Sequence, residues 1–502
     1  MVRWIFLCFL TVIKVFSVNG QVNYFNSTFG NVDEFSERVN NVEVISDHFI
    51  VFGEERYSNE KWFVRKYNFE GDLQEEKYYD FDVAFLWTGS TTSFKKKDDN
   101  SGFRLSAEIW DSIGHWSYLM NFDLNLDTLW TKKYDYSSLH SGFDVGVESD
   151  NGFVVTGNYN TDYTLGSGEG TYLQSIDETG DVLWSALLKE EPINEIIKNK
   201  SILQVDDGYV LGGSVTNNSG SIQESQGYIS KTDNQGNVMW DIISDDNGLT
   251  SSWFYLLELS NGDILCSHAV AYEEAPSLNW YHFKSKVYKL NTEEQNLYWE
   301  HDYLNDDNLS GVPLIPKETI DGGIILLGGR FGETTSSYYA SLLKIDSLGN
   351  QEWYKEYYYE DCPDCFNNLL DIDIAPDGGF ILTGEFFHSD GLPWYKQSWL
   401  LKVDACGDEE WEGCDIVGMD DIKRSEDLFI YPNPVSNIVF VNGLEESRTS
   451  LVIVYDLQGR LIWESKVLNG KIDVSQIEQG IYSLKFQENG KYLSTNTLSI
   501  IR

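Results

Sequence analysis

Several residue types are scarce in this chain, and each shortage removes a class of function. Its 502 residues include nine prolines, seven histidines, six cysteines and four methionines. The histidines are scattered, with no H-E-x-x-H or comparable metal spacing. Neither a G-x-S-x-G nucleophile elbow nor a phosphate-binding glycine loop occurs. Asp and Glu are so abundant that a pair at glycosidase separation arises by chance and signals nothing. Lys and Arg number 36 against 80 Asp and Glu, a formal net charge of −44. Such a surface repels phosphate backbones and anionic lipid, so nucleic acid is excluded as a partner. Beyond residue 20 no apolar run is long enough to cross a bilayer, and no membrane span is expected.

What the sequence does contain is a repeat. The stretch Ile176-Asp177-Glu178-Thr179-Gly180-Asp181-Val182-Leu183-Trp184 returns in the same register ending at Trp130, Trp240, Trp299, Trp353 and Trp411. A degenerate copy runs from Asn68 to Glu75, with Glu where Trp is due. A period of about 55 residues marks a propeller or related array. In each copy an Asp side chain accepts backbone N–H groups while Gly takes positive φ, which closes a tight hairpin. Trp then offers a large apolar surface with one donor, suited to packing on a neighbouring repeat. The blade carrying Glu75 is therefore expected to be peripheral or poorly packed.

A second signal precedes each turn, as in Asp207-Gly208-Tyr209-Val210-Leu211 and Asp377-Gly378-Gly379-Phe380-Ile381. With a short apolar strand before it, every period holds four strands, A to D, joined by tight A–B and C–D turns. Seven such periods over residues 22–414 predict an all-β, seven-bladed β-propeller. Ahead of it, residues 1–20 combine Arg3 with a short apolar stretch and are expected to be a secretory signal peptide.

In an exported protein an even cysteine set implies disulfides. Cys266, in an apolar strand, is expected to be a buried free thiol. Cys406 with Cys414 and Cys362 with Cys365 are the favoured pairs, and a four-cysteine zinc site fits the spacing poorly.

The A–B and C–D turns repeat their residues, whereas the B–C connections vary and the D–A crossings are acidic. In a propeller those two sets share one face, so a ligand is expected there. The candidates are Trp280, Tyr281, Trp394 and Tyr395 in B–C connections, with Trp280 and Trp394 placed in the longest, and Asp245 and Asp306 in D–A crossings. Other B–C aromatics, Trp110, Trp116, Tyr338, Tyr339, Phe386 and Phe387 among them, fit blade packing as well. Gathered carboxylates would suit Ca2+, but without an EF-hand-like spacing a solvated acidic rim is preferred.

After a charged linker at 415–427 the period stops. Residues 426–502 carry 9 acidic and 7 basic side chains, so the negative charge belongs to the repeat region. Pro432 and Pro434 hold an extended entry, and alternating runs such as Val452 to Tyr455 read as half-buried strands. Three segments stand in order: Tyr431-Pro432-Asn433-Pro434; Asp456-Leu457-Gln458-Gly459-Arg460; and Gly480-Ile481-Tyr482. In these segments, residues 428–502 resemble the type A C-terminal sorting domain of the type IX secretion system of Bacteroidota. The resemblance implies an immunoglobulin-like β-sandwich recognised by the type IX machinery, and a product at the outer cell surface or in the medium. The repeat itself resembles the tryptophan-docking repeats of pyrroloquinoline-quinone propellers. Seven blades and the non-vicinal Cys362 and Cys365 depart from that family, so no quinone cofactor is expected. The function expected is therefore a secreted binding or interaction module for an extracellular glycan or protein. A glycan-active hydrolase or lyase on the same scaffold is the alternative.

Overall fold

A computed structural model describes residues 24–409 and 429–500, apart from connections and short breaks. Outside the described residues lie 30–35, 46, 57–60, 81–84, 88–93, 111–114, 135–140, 150–151, 161–168, 191–194, 218–223, 245–249, 276–279, 304–311, 313, 332–337, 360–364, 388–395, 432–434, 436, 443–449, 456–460, 468–469, 478 and 489–490. Every described regular element is a β-strand. The chain divides into two compact units, Met1–Glu412 and Gly413–Arg502.

In the first unit consecutive strands pair antiparallel in fours, at 36–80, 85–134, 141–190, 195–243, 255–303 and 315–357, called sheets 1 to 6. Sheet 2 adds a short extra strand, because its first strand is split into Phe85–Trp87 and Phe94–Lys96. Sheet 7 takes three strands from 366–403, and its fourth is Phe25–Phe29, which pairs antiparallel with Gln397–Val403 (Phe25 opposite Lys402). One parallel bridge, Tyr338 to Phe366, joins sheets 6 and 7. Each sheet contacts the next along its inner strands, and sheet 7 returns to sheet 1, so the sheets follow one another round a ring. The arrangement is propeller-like.

Side-chain alternation explains how neighbours bind. In the fourth strand of sheet 2, Trp130, Lys132 and Tyr134 face sheet 3 and grip its last turn. Trp130 Nε1 donates to Glu178 O at 2.9 Å, Tyr134 Oη donates to Gly180 O at 2.9 Å, and Lys132 pairs with Asp181 at 2.6 Å. Gly180 has φ of 82°, and a Cβ there would lie 2.9 Å from Trp130 Cζ3, so the indole needs glycine beneath it. Trp184 on Gly236, Trp299 on Gly349 and Trp353 on Gly407 repeat this contact. Trp240 faces a turn without glycine and packs among Leu290, Leu297 and Ile242.

The expectation that sheet 1 is poorly packed is corrected. Phe52, Trp62 and Val64 of sheet 1 and Phe94 and Phe122 of sheet 2 are fully buried in one cluster. Where Glu75 replaces Trp, the next turn also lacks glycine. Leu126 occupies that position at φ of 61°, only 1% exposed, and its side chain fills the shared core from the opposite side of the junction. Tyr79 still donates to Leu126 O at 2.6 Å and Lys77 still pairs with Asp127 at 2.7 Å.

A second correction concerns sheet 7. The strand beside Gln397–Val403 at its outer edge is Phe25–Phe29, from the start of the unit, and Trp411 lies outside the described residues. Phe25, 5% exposed, takes the docking role on Gly71, where a Cβ would sit 2.7 Å from its ring.

The second unit has two antiparallel sheets. One contains Phe429–Tyr431, Ile438–Asn442 and Lys471–Asp473. The other contains Leu461–Val467, Ser450–Tyr455, Gly480–Glu488 and Lys491–Ile500. Their apolar residues share a core of Val435, Val439, Val452, Val454, Ile472, Leu484 and Leu498.

Candidate functional site

Two cavities stand at the A–B and C–D turn end of the first unit. One, of about 540 Å3, is lined by A–B residues of sheets 1, 5, 6 and 7, including Val44, Ile45, Glu318, Ile320, Ile374 and Pro376. It is mainly an apolar collar. Glu318 is held by the Ser260 N–H at 2.7 Å and the Ser260 hydroxyl at 2.8 Å.

The second, of about 520 Å3, lies between sheets 2 and 3 and is polar. Asp98, Asp99, Glu148, Ser149, Gly152, Asp177, Glu178 and Thr179 line it. Two of these, Glu148 and Glu178, are contacted by Arg104, which is fully buried on the second strand of sheet 2 (Gly102–Trp110) and set 5.3 Å from the centre of the Phe153 ring. Arg104 Nη2 pairs with Glu178, which also receives Lys97 Nζ at 3.0 Å. Burial pushes the Glu178 carboxyl up, and these two cations overcome it, leaving the group below the usual range. Arg104 Nε lies 3.1 Å from Glu148 Oε1 without hydrogen-bond alignment, and Nη1 has no partner. Glu148, with a side chain 12% exposed, titrates at about 7, because burial and the nearby Glu178 charge outweigh the pull of Arg104. A cleft with a displaced carboxyl and a specific charge partner is where binding chemistry is first sought.

Sequence reasoning missed Arg104, although the repeat marks it. At the equivalent place the other sheets carry Ile50, Val154, Val210, Leu265, Ile325 and Ile381, all buried. A charge at one copy of an apolar position was the available signal.

None of the residues predicted to bind ligand is among those that line the two cavities. Trp394, Tyr395, Asp245 and Asp306 lie outside the described residues. Trp280 and Tyr281 belong to the strand Trp280–Asn291, with Trp280 opposite Ala275 and Tyr281 opposite Glu274. Their B–C connection is residues 276–279, among the shortest rather than the longest. At the same end the rings of Tyr338, Phe366 and Phe387 stack at 4.6 and 4.9 Å, and Lys396 Nζ sits 5.3 Å from the Phe387 ring. Phe386 stacks on Tyr359 at 4.7 Å, and Trp116 lies beneath Lys133 Nζ at 3.7 Å. These ring faces are engaged within the protein, which makes them packing residues.

Cys266 is free and fully buried, and burial pushes its thiol up. Cys365 and Cys406 are disulfide-bonded, while Cys362 and Cys414 lie outside the described residues. Among the described residues no group of three or more His, Cys, Asp or Glu side chains is placed to hold a metal ion. No helix among them is long and apolar enough to cross a membrane. His268 stacks on Phe254 with ring centres 4.2 Å apart, and burial depresses its imidazole to about 3, so it stays neutral.

In the tail, Tyr431 pairs with Phe440 and Gly480 with Ile500, and Tyr482 joins the core. Pro432, Asn433, Pro434, Asp456 and Gly459 lie outside the described residues.

Comparison with known proteins agrees with this division of the chain. The fold is all-β and propeller-like in its first unit. Residues 429–501 match the family model of the secretion system C-terminal sorting domain. This tail is a type IX sorting domain, and it implies export to the cell surface or the extracellular space. No curated protein matches the chain. Among solved structures, the β-propeller domain of the Trilobed protease from Pyrococcus furiosus is 12% identical, with a TM-score of 0.40, covering 72% of this chain and 97% of that one. A protein of unknown function from Dyadobacter fermentans is 10% identical, with a TM-score of 0.43, covering 75% and 98%. The α-L-arabinofuranosidase Arb93A from Fusarium graminearum is 11% identical, with a TM-score of 0.41, covering 64% and 93%. The activities in those names belong to those proteins.

Proposed function

We propose that the chain is an exported binding protein. Its domains are a signal peptide at 1–20, a seven-bladed propeller at 22–414 closed by its own first strand, a linker at 415–427 and an immunoglobulin-like sorting domain at 428–502. The type IX machinery is its partner in transit, and an extracellular glycan is its ligand. Cys406 with Cys414 and Cys362 with Cys365 are the pairs assigned within the propeller.

The observation that carries this reading is the asymmetry between the two ends of the sheets. At one end the turns repeat one hydrogen-bonded form: Asp177, Asp233 and Asp346 each accept backbone N–H groups two and four residues on. At the other, the B–C connections run from four residues (57–60) to nine (388–396) and share no sequence pattern. Variation against a constant scaffold is how a ligand face is built. Trp394, in the longest connection beside Pro393, is the leading contact.

The test is a glycan array probed with the exported protein and with Trp394→Ala and Trp280→Ala. Saturable binding lost in Trp394→Ala supports the reading. Absence of any glycan signal overturns it.

A further inference from the structure

We infer that Trp253, with Lys198 and Lys200, forms a subsite for an anionic sugar, one that carries a carboxylate or a sulfate. The inference rests on the glycan reading above and names the class of glycan.

The place is set by the inner strands of sheets 4 and 5, near the end that carries the B–C connections. Phe254 is fully buried, its N–H donating to Gly213 O at 3.0 Å and its carbonyl accepting from the Ser201 hydroxyl at 3.3 Å. With Phe254 turned inward, alternation along the chain turns Trp253 outward. At 38% it is the most exposed tryptophan among the described side chains. Elsewhere the fold spends this residue on covering a turn, as Trp130, Trp184, Trp299 and Trp353 do.

Two cations border the ring. Lys200 Nζ lies 5.4 Å from its centre, within reach of the π face. Asn199 turns to sheet 3, where its Nδ2 donates to Thr156 Oγ1 at 2.8 Å, so the adjacent Lys198 points the other way, toward sheet 5. Lys198 is exposed and makes no ion pair among the described residues. That is a departure in a chain with 80 acidic and 36 basic side chains, where Lys95, Lys231, Lys344 and Lys402 are each taken up by a carboxylate.

The ligand class follows from these groups. An indole face packs against the apolar face of a sugar ring. Ammonium groups donate and cannot accept, and their charge favours an oxyanion over a neutral hydroxyl. The field of the whole molecule repels anions, so an acidic glycan is held only where nearby cations outweigh that field.

Isothermal titration calorimetry on the exported protein would test this with tetragalacturonate and its methyl ester, and with a sulfated galactotetraose and its desulfated form. A charged oligomer should bind saturably and its neutral counterpart roughly fivefold or more weakly, and which charged oligomer binds identifies the oxyanion. Trp253→Ala should weaken the charged oligomer about tenfold or more. Lys198→Gln should weaken it about threefold, with Lys198→Arg restoring it. Lys198 is exposed, so its variants still decide should Trp253→Ala fail to fold. Equal binding of charged and neutral forms overturns the inference, as does binding that survives both Trp253→Ala and Lys198→Gln. Neutral glycan lost in Trp394→Ala but kept in Trp253→Ala overturns it and leaves the glycan reading standing, whereas no glycan signal at all overturns both.

Discussion

The junction between sheets 2 and 3 and the seam between sheets 7 and 1 solve one packing problem with different parts. At the first, Trp130 covers Gly180 and Tyr134 holds the same turn, both from the strand that precedes sheet 3 in the chain. At the seam the ring on glycine is Phe25, whose strand also precedes the sheet it docks on but takes its ladder partner, Gln397–Val403, from the other end of the unit. The inner side differs more. Asp371 accepts from Val42 N at 3.2 Å and Asn41 Nδ2 at 3.1 Å, and Asp373 accepts from Val44 N at 2.7 Å. Two carboxylates of sheet 7 therefore grip the first strand of sheet 1. Further out, Ser398 donates to Glu37 at 2.9 Å and Glu37 N donates to Lys396 O at 2.9 Å. Aromatic docking on glycine is common to both places. The seam adds directional polar bonds, which help fix how the two sheets register beside the chain that runs from Phe25–Phe29 into Ser36–Val44.

The largest way to break this comparison is at Phe25. Phe25→Ala should cost about 3–5 kcal/mol, as for other buried aromatics, and open the seam first. Hydrogen exchange would then show strands 36–44 and 397–403 losing protection ahead of sheets 3 to 5. Uniform loss across the unit would show that the seam is no weaker than the rest.

The junction between sheets 1 and 2 gives a sharper test. Leu126→Gly should cost about 2–4 kcal/mol, since the lost burial exceeds the relief of a left-handed leucine. Adding Glu75→Trp should recover at least half of that in chemical denaturation, because it recreates the pairing of Trp130 with Gly180. A double variant less stable than Leu126→Gly alone would refute the equivalence of the two junctions.

The smallest effect is in pH. Asp371 is raised to about 6 and Glu148 to about 7, in both cases chiefly by burial. A carboxyl with a raised folded value holds its proton more tightly in the native state. Its contribution is therefore full below the ordinary range near 4 and fades as pH rises through 6 to 7. Asp177, Asp233 and Asp346, lowered mainly by hydrogen bonds from their own turns, act in the opposite sense and are fully ionised by pH 5. Stability should thus fall between pH 5 and 7 by on the order of 2 kcal/mol from Glu148, and Glu148→Gln should flatten that slope. An unchanged slope would place Glu148 in a wetter setting than the cleft shows.

How much of this was legible in the sequence follows from which contacts repeat. Four strands per period, the Asp-to-Gly turns and the docking tryptophans recur, and periodicity displays whatever recurs. The tail was legible through three ordered motifs. Phe25 was not, because it stands outside the repeat and acts roughly 380 residues away. Leu126 was hidden for a related reason: a missing Trp on one side is compensated on the other, and neither change alone reads as packing. Arg104 was visible as an anomaly in an aligned column but not as a site, since only the fold brings Glu148 and Glu178 to it. Trp280 was misplaced because the pairing of Glu274 and Ala275 with Tyr281 and Trp280 carries the strands further than the polar stretch suggests.

The closing strand also sets an order of events. In a chain delivered end first, Phe25–Phe29 emerges before any of the sheets, yet its partner Gln397–Val403 is nearly the last strand of the first unit to arrive. Until then the first strand is an unpaired edge, and the sheets behind it form an open arc. The pairing of Phe25–Phe29 therefore waits for a strand that arrives shortly before residues 429–501. A sorting domain placed after that step is complete only on chains whose ring already has every strand it needs, so its position in the sequence works as a clock for assembly.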